Sequence, residues 1–325
     1  MALPALLQRL RLPVIGAPMF LVSGPDLVIA QCKAGIVGSF PALNARPQPE
    51  LDGWLTRIQA ELAAHDAAHP DAPSAPYAVN QIVHQSNTRL MEDIAVCERH
   101  RVPIIITSLR PPNDVVARVH AWGGIVLHDV INLRHAQKAL EAGVDGLILV
   151  CAGAGGHAGT MSPFALAGEV RRMFDGPLAL SGAIGTGDAL LAALATGCDL
   201  GYIGTRFIAA TESMAPDGYK QMLVDSRAAD VVYTDHFSGV HANYLRPSVK
   251  AAGLDPDNLP AKANSMDYAR KGDDTPKAWK DIWSAGQGVG LIDDVVPAAE
   301  IVARLARELR AARDRVLAEP ALRAG

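Results

Sequence analysis

Residues 141–159 read EAGVDGLILVCAGAGGHAG, and they carry the clearest signal of fold class in the chain. Gly143 stands where a helix is expected to end in a left-handed glycine cap. The apolar run 147–150 follows, and a run this short, without alternating polar residues, is typical of a strand buried on both faces of a parallel sheet. The glycine-rich segment 153–159 then reads as a loop. The stretch therefore predicts one helix–strand–loop unit of an α/β protein.

The same unit recurs along the chain. The segments KAGIVG (33–38) and ATGCDL (195–200) repeat the junction of a helix end, a glycine and a strand start. Helical spacing of apolar residues separates the strands, for example in 132–142 and 188–196. Eight short apolar runs are candidate strands: 14–15, 36–37, 77–79, 104–106, 125–127, 147–150, 178–180 and 202–203. Eight strands with intervening helices predict a (β/α)8 TIM-type barrel.

The region from 211 to about 282 interrupts this alternation of strands and helices, because it shows no clear strands and has a helical patch at 216–227. We interpret it as a mostly helical insertion that covers the C-terminal face of the barrel. An amphipathic period at 297–319 predicts a closing helix. The predicted domains are thus a barrel of 1–210 and about 283–325, and a helical substrate-covering region of about 211–282.

Composition excludes several classes of protein. The net charge of −4 and the absence of dense basic clusters argue against a nucleic-acid partner. No run of 18 apolar residues and no secretory leader pattern are present, so we expect no membrane partner and a cytoplasmic location. The four cysteines form no CxxC pair, which favours free thiols over a zinc site or a disulfide framework.

The loop 153–159 is the first candidate for chemistry, because working loops of α/β barrels follow the C-terminal ends of the strands. Its four glycines allow unusual backbone conformations and exposed amide donors. It also carries His157, and a histidine has an unperturbed pKa near neutrality that suits proton abstraction. The alternative is a surface loop with an incidental histidine.

Three further loops predict a ligand with a flat ring and a phosphate. Gly16, Ala17, Pro18 and Met19 follow the first strand, where small residues and a proline let a ring approach the backbone. The loops after the seventh and eighth strands supply bare amides and hydroxyls, and barrels often bind a phosphate between these two loops. Their hydroxyls belong to Ser181 and Thr205, with Arg206 nearby. The alternative is a set of ordinary turns.

Two polar residues at strand ends, Asn80 and His128, are placed to bond a heterocycle. Each could equally be a core polar residue whose hydrogen bonds are satisfied. His128 and Asp129 together could suggest a metal, but no third ligand stands at a suitable spacing, so we expect no metal site.

Four motifs follow one another along the chain: GAGGHAG (153–159), LSGAI (180–184), YIGTRFIAAT (202–211) and WSAGQ (283–287). In this order they resemble the motifs of the nitronate monooxygenase family, formerly called 2-nitropropane dioxygenase. The resemblance implies FMN on a TIM-type barrel, with His157 as the active-site histidine. It further implies the cofactor-binding residues, namely Ala17, Pro18 and Met19 along the isoalloxazine ring, Asn80 and His128 at the flavin's polar edge or ribityl chain, Gly155 and Gly156 close by, and Ser181, Gly182, Ala183, Gly204 and Thr205 at the phosphate.

The implied reaction is FMN-dependent oxidation of alkyl nitronates, or of nitroalkanes, by O2 to a carbonyl compound and nitrite. The partners would be this small-molecule substrate and O2, and a homodimer is a hypothesis that no residue pattern supports. The first alternative is an NAD(P)H-dependent FMN reductase of quinones or enoyl thioesters. A regulatory protein that binds a flavin or phosphate ligand without turnover is the second, and a metal-dependent barrel aldolase or isomerase is the third.

Two positions depart from the family pattern. Several members of the family carry a lysine where this chain has Asp129, and a glutamate where it has Gly153. A lysine could stabilise a reduced, anionic flavin, and the Asp129 side chain cannot. The electronic environment of the flavin therefore does not follow from the resemblance.

Overall fold

Eight parallel strands form a barrel in the computed structural model, which describes residues 3–259 and 278–323. Each predicted apolar run lies in or beside one of these strands, and the fold class predicted from the sequence is confirmed. In chain order the barrel strands are β1 (Val14–Gly16), β2 (Gly38–Pro41), β3 (Tyr77–Val83), β4 (Ile104–Leu109), β5 (Ile125–Val130), β6 (Gly146–Val150), β8 (Leu178–Ser181) and β9 (Leu200–Ile203).

The strands follow the order β1-β9-β8-β6-β5-β4-β3-β2, and the barrel closes between β1 and β2. At this seam Ile15 pairs in parallel with Val37, and Gly16 N donates to Val37 O at 2.8 Å. The register elsewhere is regular, with Asn80 opposite Ile106 and Thr107 opposite His128.

Successive side chains alternate between the barrel interior and the layer beneath the helices, as the period of two in a strand requires. One buried cluster fills the interior, and it includes Ile15, Val37, Ala78, Ile104, Ile106, Leu127, Ile148, Ala179, Leu200 and Tyr202. Leu7, from the short helix that precedes β1, joins this cluster. A second and larger cluster lies between the strands and the surrounding helices.

Helices connect the barrel strands, and glycines end three of them as predicted. Gly35, Gly143 and Gly197 have φ angles of 89°, 84° and 91°, which is the left-handed cap conformation. The helices of the barrel are α1 (Ala5–Gln8), α2 (Pro25–Lys33), α3 (Glu50–Ala68), α4 (Leu90–Arg99), α5 (Asn113–Ala121), α6 (Leu133–Glu141), α7 (Pro163–Arg171), α8 (Gly187–Ala195), α9 (Thr205–Ile208), α12 (Ala298–Ala318) and α13 (Pro320–Arg323).

The amphipathic helix α12 lies against α8 and α2. Its apolar face buries Ile301, Val302 and Leu305. Glu308 accepts a hydrogen bond from Gly187 N at 2.8 Å, at the start of α8. This helix therefore joins elements from the two ends of the barrel sequence.

The insertion contains α10 (Asp217–Asp225), α11 (Arg246–Ala251) and an antiparallel hairpin of β10 (Val231–Thr234) and β11 (Ala242–Leu245). The prediction that this region lacks strands is therefore wrong, although its regular structure is mostly helical in the part described. Residues 260–277 of the predicted region lie outside the described residues, and the domain boundaries stay a prediction. Strand β11 also pairs with β7 (Gly156–His157), a two-residue strand from the glycine-rich loop.

No helix within 3–259 and 278–323 combines the length and apolar character that crossing a membrane requires. Within the same ranges, no group of three or more His, Cys, Asp or Glu side chains is arranged to hold a metal ion. All four cysteines are buried and free.

Candidate functional site

A cavity of about 420 Å³ lies at the C-terminal ends of the barrel strands, under the insertion. The structure brings nearly all the predicted site residues together on its wall. Those that line it are Ala17, Pro18, Met19, Asn80, Gly155, Gly156, His157, Ser181, Gly182, Ala183, Gly204 and Thr205. Loops separated by more than a hundred residues thus converge on one space.

His128 is the exception among the predicted residues. Its ring lies on the helix side of β5, buried, with Nδ1 2.8 Å from Thr107 Oγ1. Burial lowers the pKa of His128 to about 4. Its neighbour Asp129 lines the cavity instead, because adjacent side chains of a strand point to opposite faces. His128 is therefore not among the predicted residues that the structure brings to the cavity, and a bond from its side chain to a ligand stays a prediction.

Asp129 ends a chain of hydrogen bonds at the cavity wall. Asn80 Nδ2 donates to Ser108 Oγ at 2.8 Å, and Ser108 Oγ donates to Asp129 Oδ2 at 2.6 Å. The other carboxyl oxygen, Oδ1, is shielded from solvent and has no partner among the described residues. Burial raises the pKa of Asp129 to about 7, so a large fraction of this carboxyl is neutral at pH 7.

His157 reaches the cavity from β7, with its ring half-buried. Its Nε2 lies 3.1 Å from Ser238 Oγ, and the edge of Trp279 contacts the ring with a centroid distance of 5.0 Å. Burial lowers the pKa of His157 to about 4. The imidazole is therefore neutral at pH 7 and is able to accept a proton.

The strand that carries His157 is held by side chains far away in sequence. Gly156 N donates to Ser284 Oγ at 3.0 Å, and Ser284 Oγ donates to Asn243 O at 2.9 Å. Asn243 Nδ2 donates to Ala154 O at 2.6 Å. Because Gly156 has a φ of 68°, a residue with a side chain would be strained there. The position of the histidine thus depends on the insertion and on the segment after it.

The loops after β8 and β9 offer hydrogen-bond donors at one end of the cavity. Thr205 Oγ1 accepts from Gly286 N at 2.9 Å, which leaves its hydroxyl hydrogen for another acceptor. The N–H groups of Gly204, Thr205 and Arg206 find no acceptor among the residues that the structure describes. The Arg206 guanidinium lies 2.7 Å from Asp294 Oδ1, so this side chain is already paired and is not a free anion ligand.

Glycines keep this end of the cavity open. A Cβ on Gly182 would lie 2.7 Å from Ala152 O, and its φ of 141° also excludes side chains in practice. A Cβ on Gly204 would stand 3.5 Å from Ala17 Cβ and 3.6 Å from Met19 Sδ, both of which belong to lining residues. Gly204 therefore preserves space that any larger residue would fill. Free amides, a hydroxyl and a small-residue wall together fit a phosphate-bearing ligand with a flat ring.

Sequence reasoning missed several residues that line the opposite wall or hold it in place. Trp279 lines the cavity, whereas Ser238 and Asn243 contact the lining residues His157 and Ala154. Ser238, Asn243 and Trp279 belong to the insertion and stand in no motif, so only their position in the fold reveals them. Ser284 lies in the motif WSAGQ, which was the available signal, but the motif did not indicate that its hydroxyl supports β7. Further lining side chains outside the predicted set are Phe20, Ile82, Ser108, His135, Tyr202 and His241.

The comparisons with known proteins agree with this geometry. A family model described as nitronate monooxygenase matches residues 5–308. A nitronate monooxygenase of Paraburkholderia phytofirmans is 29% identical to the chain over 351 aligned residues, which cover 92% of each protein. The solved structure of a nitroalkane oxidase from Streptomyces ansochromogenes has a TM-score of 0.76 and 25% identity, and the match covers 96% of this chain and 100% of that one.

A second kind of relative is also similar. The (3aS,4S,5R,7aS)-5-hydroxy-7a-methyl-1-oxo-octahydro-1H-indene-4-carboxyl-CoA dehydrogenase of Rhodococcus jostii is 29% identical over 208 residues. This match covers 64% of the chain but only 55% of the dehydrogenase. The sequence similarity thus extends to proteins with a different reaction.

Proposed function

The chain belongs to the nitronate monooxygenase family and is an enzyme of the flavin-dependent oxidoreductase type, and from this premise we propose that it uses FMN to oxidise alkyl nitronates, or the parent nitroalkanes, with O2 to a carbonyl compound and nitrite. The observation that carries the proposal is the neutral His157 ring on the same cavity as the small-residue loops and the free amides. Removal of an α-proton followed by oxidation requires a base and a flat-ring pocket that face the same cavity.

The residues of the barrel loops would hold FMN. Its ring would lie along the backbone of 17–19, with Gly155 and Gly156 close by, and Asn80 would bond a polar edge. Its phosphate would accept hydrogen bonds from the loops after β8 and β9, at Ser181, Gly182, Ala183, Gly204 and Thr205. FMN, when bound, supplies the electron acceptance that protein side chains lack.

The role of Asp129 differs from that of a lysine at the same position, because its side chain carries no positive charge. Its raised pKa of about 7 means that the neutral acid is present at physiological pH, so no full positive or negative charge need stand at this wall. A lysine at this position would instead stabilise negative charge on the ring. We therefore expect this chain to bind the oxidised flavin well without strong electrostatic stabilisation of its reduced, anionic form.

His157 would act on the substrate. A neutral imidazole is able to take the acidic α-proton of a nitroalkane, or to contact the nitro group of a nitronate. Phe20, Ile82 and Trp279 also line the cavity, and these apolar side chains would limit the access of water to the reacting atoms. A small, largely apolar substrate is the class that this part of the cavity accommodates.

The test is anaerobic stopped-flow absorbance of the purified, flavin-loaded protein. It is mixed separately with propyl nitronate, with nitropropane and with NADH or NADPH. Rapid bleaching of the flavin by the nitro compounds, with little response to the nicotinamides, is the expected result. A protein that carries no flavin would contradict the proposal, as would a flavin that none of the nitro compounds reduces.

The second candidate is an NAD(P)H-dependent reductase of quinones or enoyl thioesters. The Rhodococcus relative favours it, because its name assigns it a carboxyl-CoA substrate. Fast reduction of the flavin by NADH or NADPH, with slow or absent reduction by nitronate, would select this reaction.

A further inference from the structure

A buried asparagine holds the segment between β1 and α2. Asn44 follows β2, and it is 9% exposed. Its Oδ1 accepts a hydrogen bond from Leu21 N at 2.9 Å, and its Nδ2 donates to Met19 O and to Ser23 O, each at 2.9 Å. One side chain thus holds the backbone at three positions within residues 19–23.

The partners of Asn44 determine the orientation of its amide group. Met19 O and Ser23 O are carbonyl oxygens, which only accept hydrogen bonds, and the backbone N–H of Leu21 only donates. A flipped amide would place its oxygen against carbonyl oxygens and its N–H groups against the Leu21 N–H. Only the observed orientation therefore forms all of these bonds, and it uses both hydrogens of the amide.

These bonds hold a backbone conformation that leucine rarely adopts. Leu21 has a φ of 61°, in the left-handed region where residues with a side chain are uncommon. Such a conformation persists where surrounding groups enforce it, and Asn44 bonds the Leu21 N–H itself. Phe20 directly precedes this residue, so the direction of its side chain depends on the turn that Asn44 maintains.

The segment that carries Asn44 also contacts the Phe20 side chain. Two residues further along, the guanidinium carbon of Arg46 lies 5.0 Å from the centroid of the Phe20 ring, which is a cation–π distance. Arg46 Nε donates to Leu43 O at 2.7 Å, within the same segment. Residues 43–46 therefore hold both the backbone next to Phe20 and the ring itself.

Phe20 belongs to a row of rings on the cavity wall. The His157 and Trp279 rings are nearly perpendicular, with centroids 5.0 Å apart, and the Trp279 and Phe20 rings are also nearly perpendicular, with centroids 6.2 Å apart. All of these residues line the cavity. Rings at such separations are in contact, so no alkyl chain passes between them. A substrate at His157 that extends along this row therefore reaches Phe20.

We propose that Asn44 is a positioning residue that holds Phe20 against Trp279, and that these two rings limit the length of the substrate that His157 receives. The inference rests on the proposed function, because it concerns the alkyl chain of a nitroalkane or nitronate. Asn44 is not a lining residue of the cavity and acts through the turn at Leu21. The favoured substrates are short-chain nitro compounds, since a longer chain has to displace the Phe20 ring.

The first measurement is a fluorine NMR spectrum of the protein as purified, labelled with 5-fluorotryptophan. The Trp279 signal is assigned by its loss in Trp279→Phe. In Phe20→Leu this signal shifts because the ring current of the phenyl group is lost, and we expect Asn44→Ala to shift it in the same direction. An unchanged Trp279 signal in Asn44→Ala would overturn the inference. The spectrum needs no turnover, so it separates a failure of this inference from a failure of the proposed function.

The second measurement is the ratio of kcat/KM for 1-nitrohexane to kcat/KM for nitroethane. We expect Phe20→Ala to raise this ratio about tenfold, and Asn44→Ala to raise it about threefold, because each opens the wall to a longer chain. The double variant should have the ratio of Phe20→Ala alone, since Asn44 acts through the ring. An unchanged ratio in Phe20→Ala, or independent effects that multiply in the double variant, would contradict the inference.

Asn87→Ala is the matched control. Asn87 is 8% exposed, and it holds the loop after β3 by donating to Ile82 O at 2.9 Å and accepting from Arg89 N at 3.2 Å. We expect this variant to keep the wild-type Trp279 signal and the wild-type ratio. A shift as large as that of Asn44→Ala would indicate general loosening of the cavity and count against the inference.

Asn44→Ser, which retains a hydroxyl donor, replaces Asn44→Ala if that variant does not fold. We expect a smaller shift of the Trp279 signal in the same direction, and an unchanged signal would again overturn the inference. If neither variant folds, the ratio measured for Phe20→Ala decides, since a ratio that stays at the wild-type value removes Phe20 as the limit on substrate length.

Discussion

The loops after β1, β8 and β9 and the β10–β11 hairpin face each other across one cavity, and they are held by different kinds of interaction. The loops continue buried parallel strands directly, and backbone bonds such as Ala17 N to Ile203 O at 2.8 Å hold them. The hairpin is held by side chains that bond distant backbone, such as Asn243 to Ala154 O and Tyr233 OH to Ala158 O at 2.9 Å.

The two walls therefore need different kinds of residues. The barrel loops need small residues and unusual backbone angles, and their geometry is determined by neighbours in sequence and in the sheet. The hairpin wall relies on particular polar side chains, whose partners are backbone carbonyl groups far away in the chain. We therefore expect substitutions in the first wall to affect cofactor binding, and substitutions in the second to affect turnover.

The largest expected effect is at His157, on the short strand β7 that pairs with the hairpin. We expect His157→Ala to lower kcat by about 100- to 10,000-fold, the usual contribution of a general base, while the flavin content stays unchanged. Steady-state oxygen consumption and the absorbance ratio of flavin to protein measure the two quantities. His120→Ala, which removes a histidine paired with Asp145 outside the cavity, should retain full activity. Wild-type turnover in His157→Ala would refute the assignment of the base.

Gly204→Leu tests the first wall. A side chain at Gly204 would occupy the space beside Ala17 and Met19, so we expect the flavin content to fall at least about tenfold. Gly168→Leu is the control, because no atom lies within 4 Å of a Cβ at this exposed position on α7. Retention of a full complement of flavin in Gly204→Leu would mean that the cofactor lies elsewhere.

Asn243→Ala tests the link between the hairpin and the glycine-rich loop after β6. The substitution leaves the buried Ala154 O without its donor, and we expect a loss of about 1–3 kcal/mol in the free energy of unfolding. Urea denaturation measures it, and the flavin content of the folded protein should stay near the wild-type value. Asn258→Ala in the exposed turn after α11 should be nearly neutral. An Asn243→Ala protein that loses flavin while keeping its stability would place Asn243 in the first wall.

A further expected effect is the pH dependence that Asp129 imposes on stability. Its carboxyl has a pKa of about 7 in the folded protein and a reference value of 3.8, so the native state binds the proton more tightly than the unfolded state. Stability should therefore decrease as pH rises from about 4 to about 7. Asp129→Asn removes this contribution, and its Tm relative to wild type should increase between pH 5 and pH 8. A constant difference in Tm across this range would show that the carboxyl is ionised throughout.

The sequence predicted the barrel better than the hairpin, for a physical reason. Gly143 and the apolar run 147–150 are local signals, since a cap and a buried strand are specified by neighbouring residues. The pairing of β11 with β7 joins residues about 85 positions apart in the chain, and strands of two to four residues leave no periodic pattern. Its position therefore depends on tertiary contacts that no segment displays alone.

A related cause explains why the sequence predicted His128 at the cavity, whereas its neighbour Asp129 lies there. Strands that are buried on both faces lose the alternation of polar and apolar residues that would reveal which side chains point inward. On β5, Val126 and Leu127 are both apolar and both buried, so the two faces look alike in sequence. In the structure the Leu127 side chain lies in the barrel interior. Asp129 is two residues further along the strand, so its side chain points to the same face.

The helix α12 has a consequence for how the chain reaches this structure during synthesis. It packs against α2 and α8, yet it follows every barrel strand in the chain. A ribosome-bound nascent chain could thus pair all eight strands while the groove between α2 and α8 still lacks its apolar cover. We expect chaperones to bind this intermediate. We expect them to release the chain once α12 has formed and covers the groove.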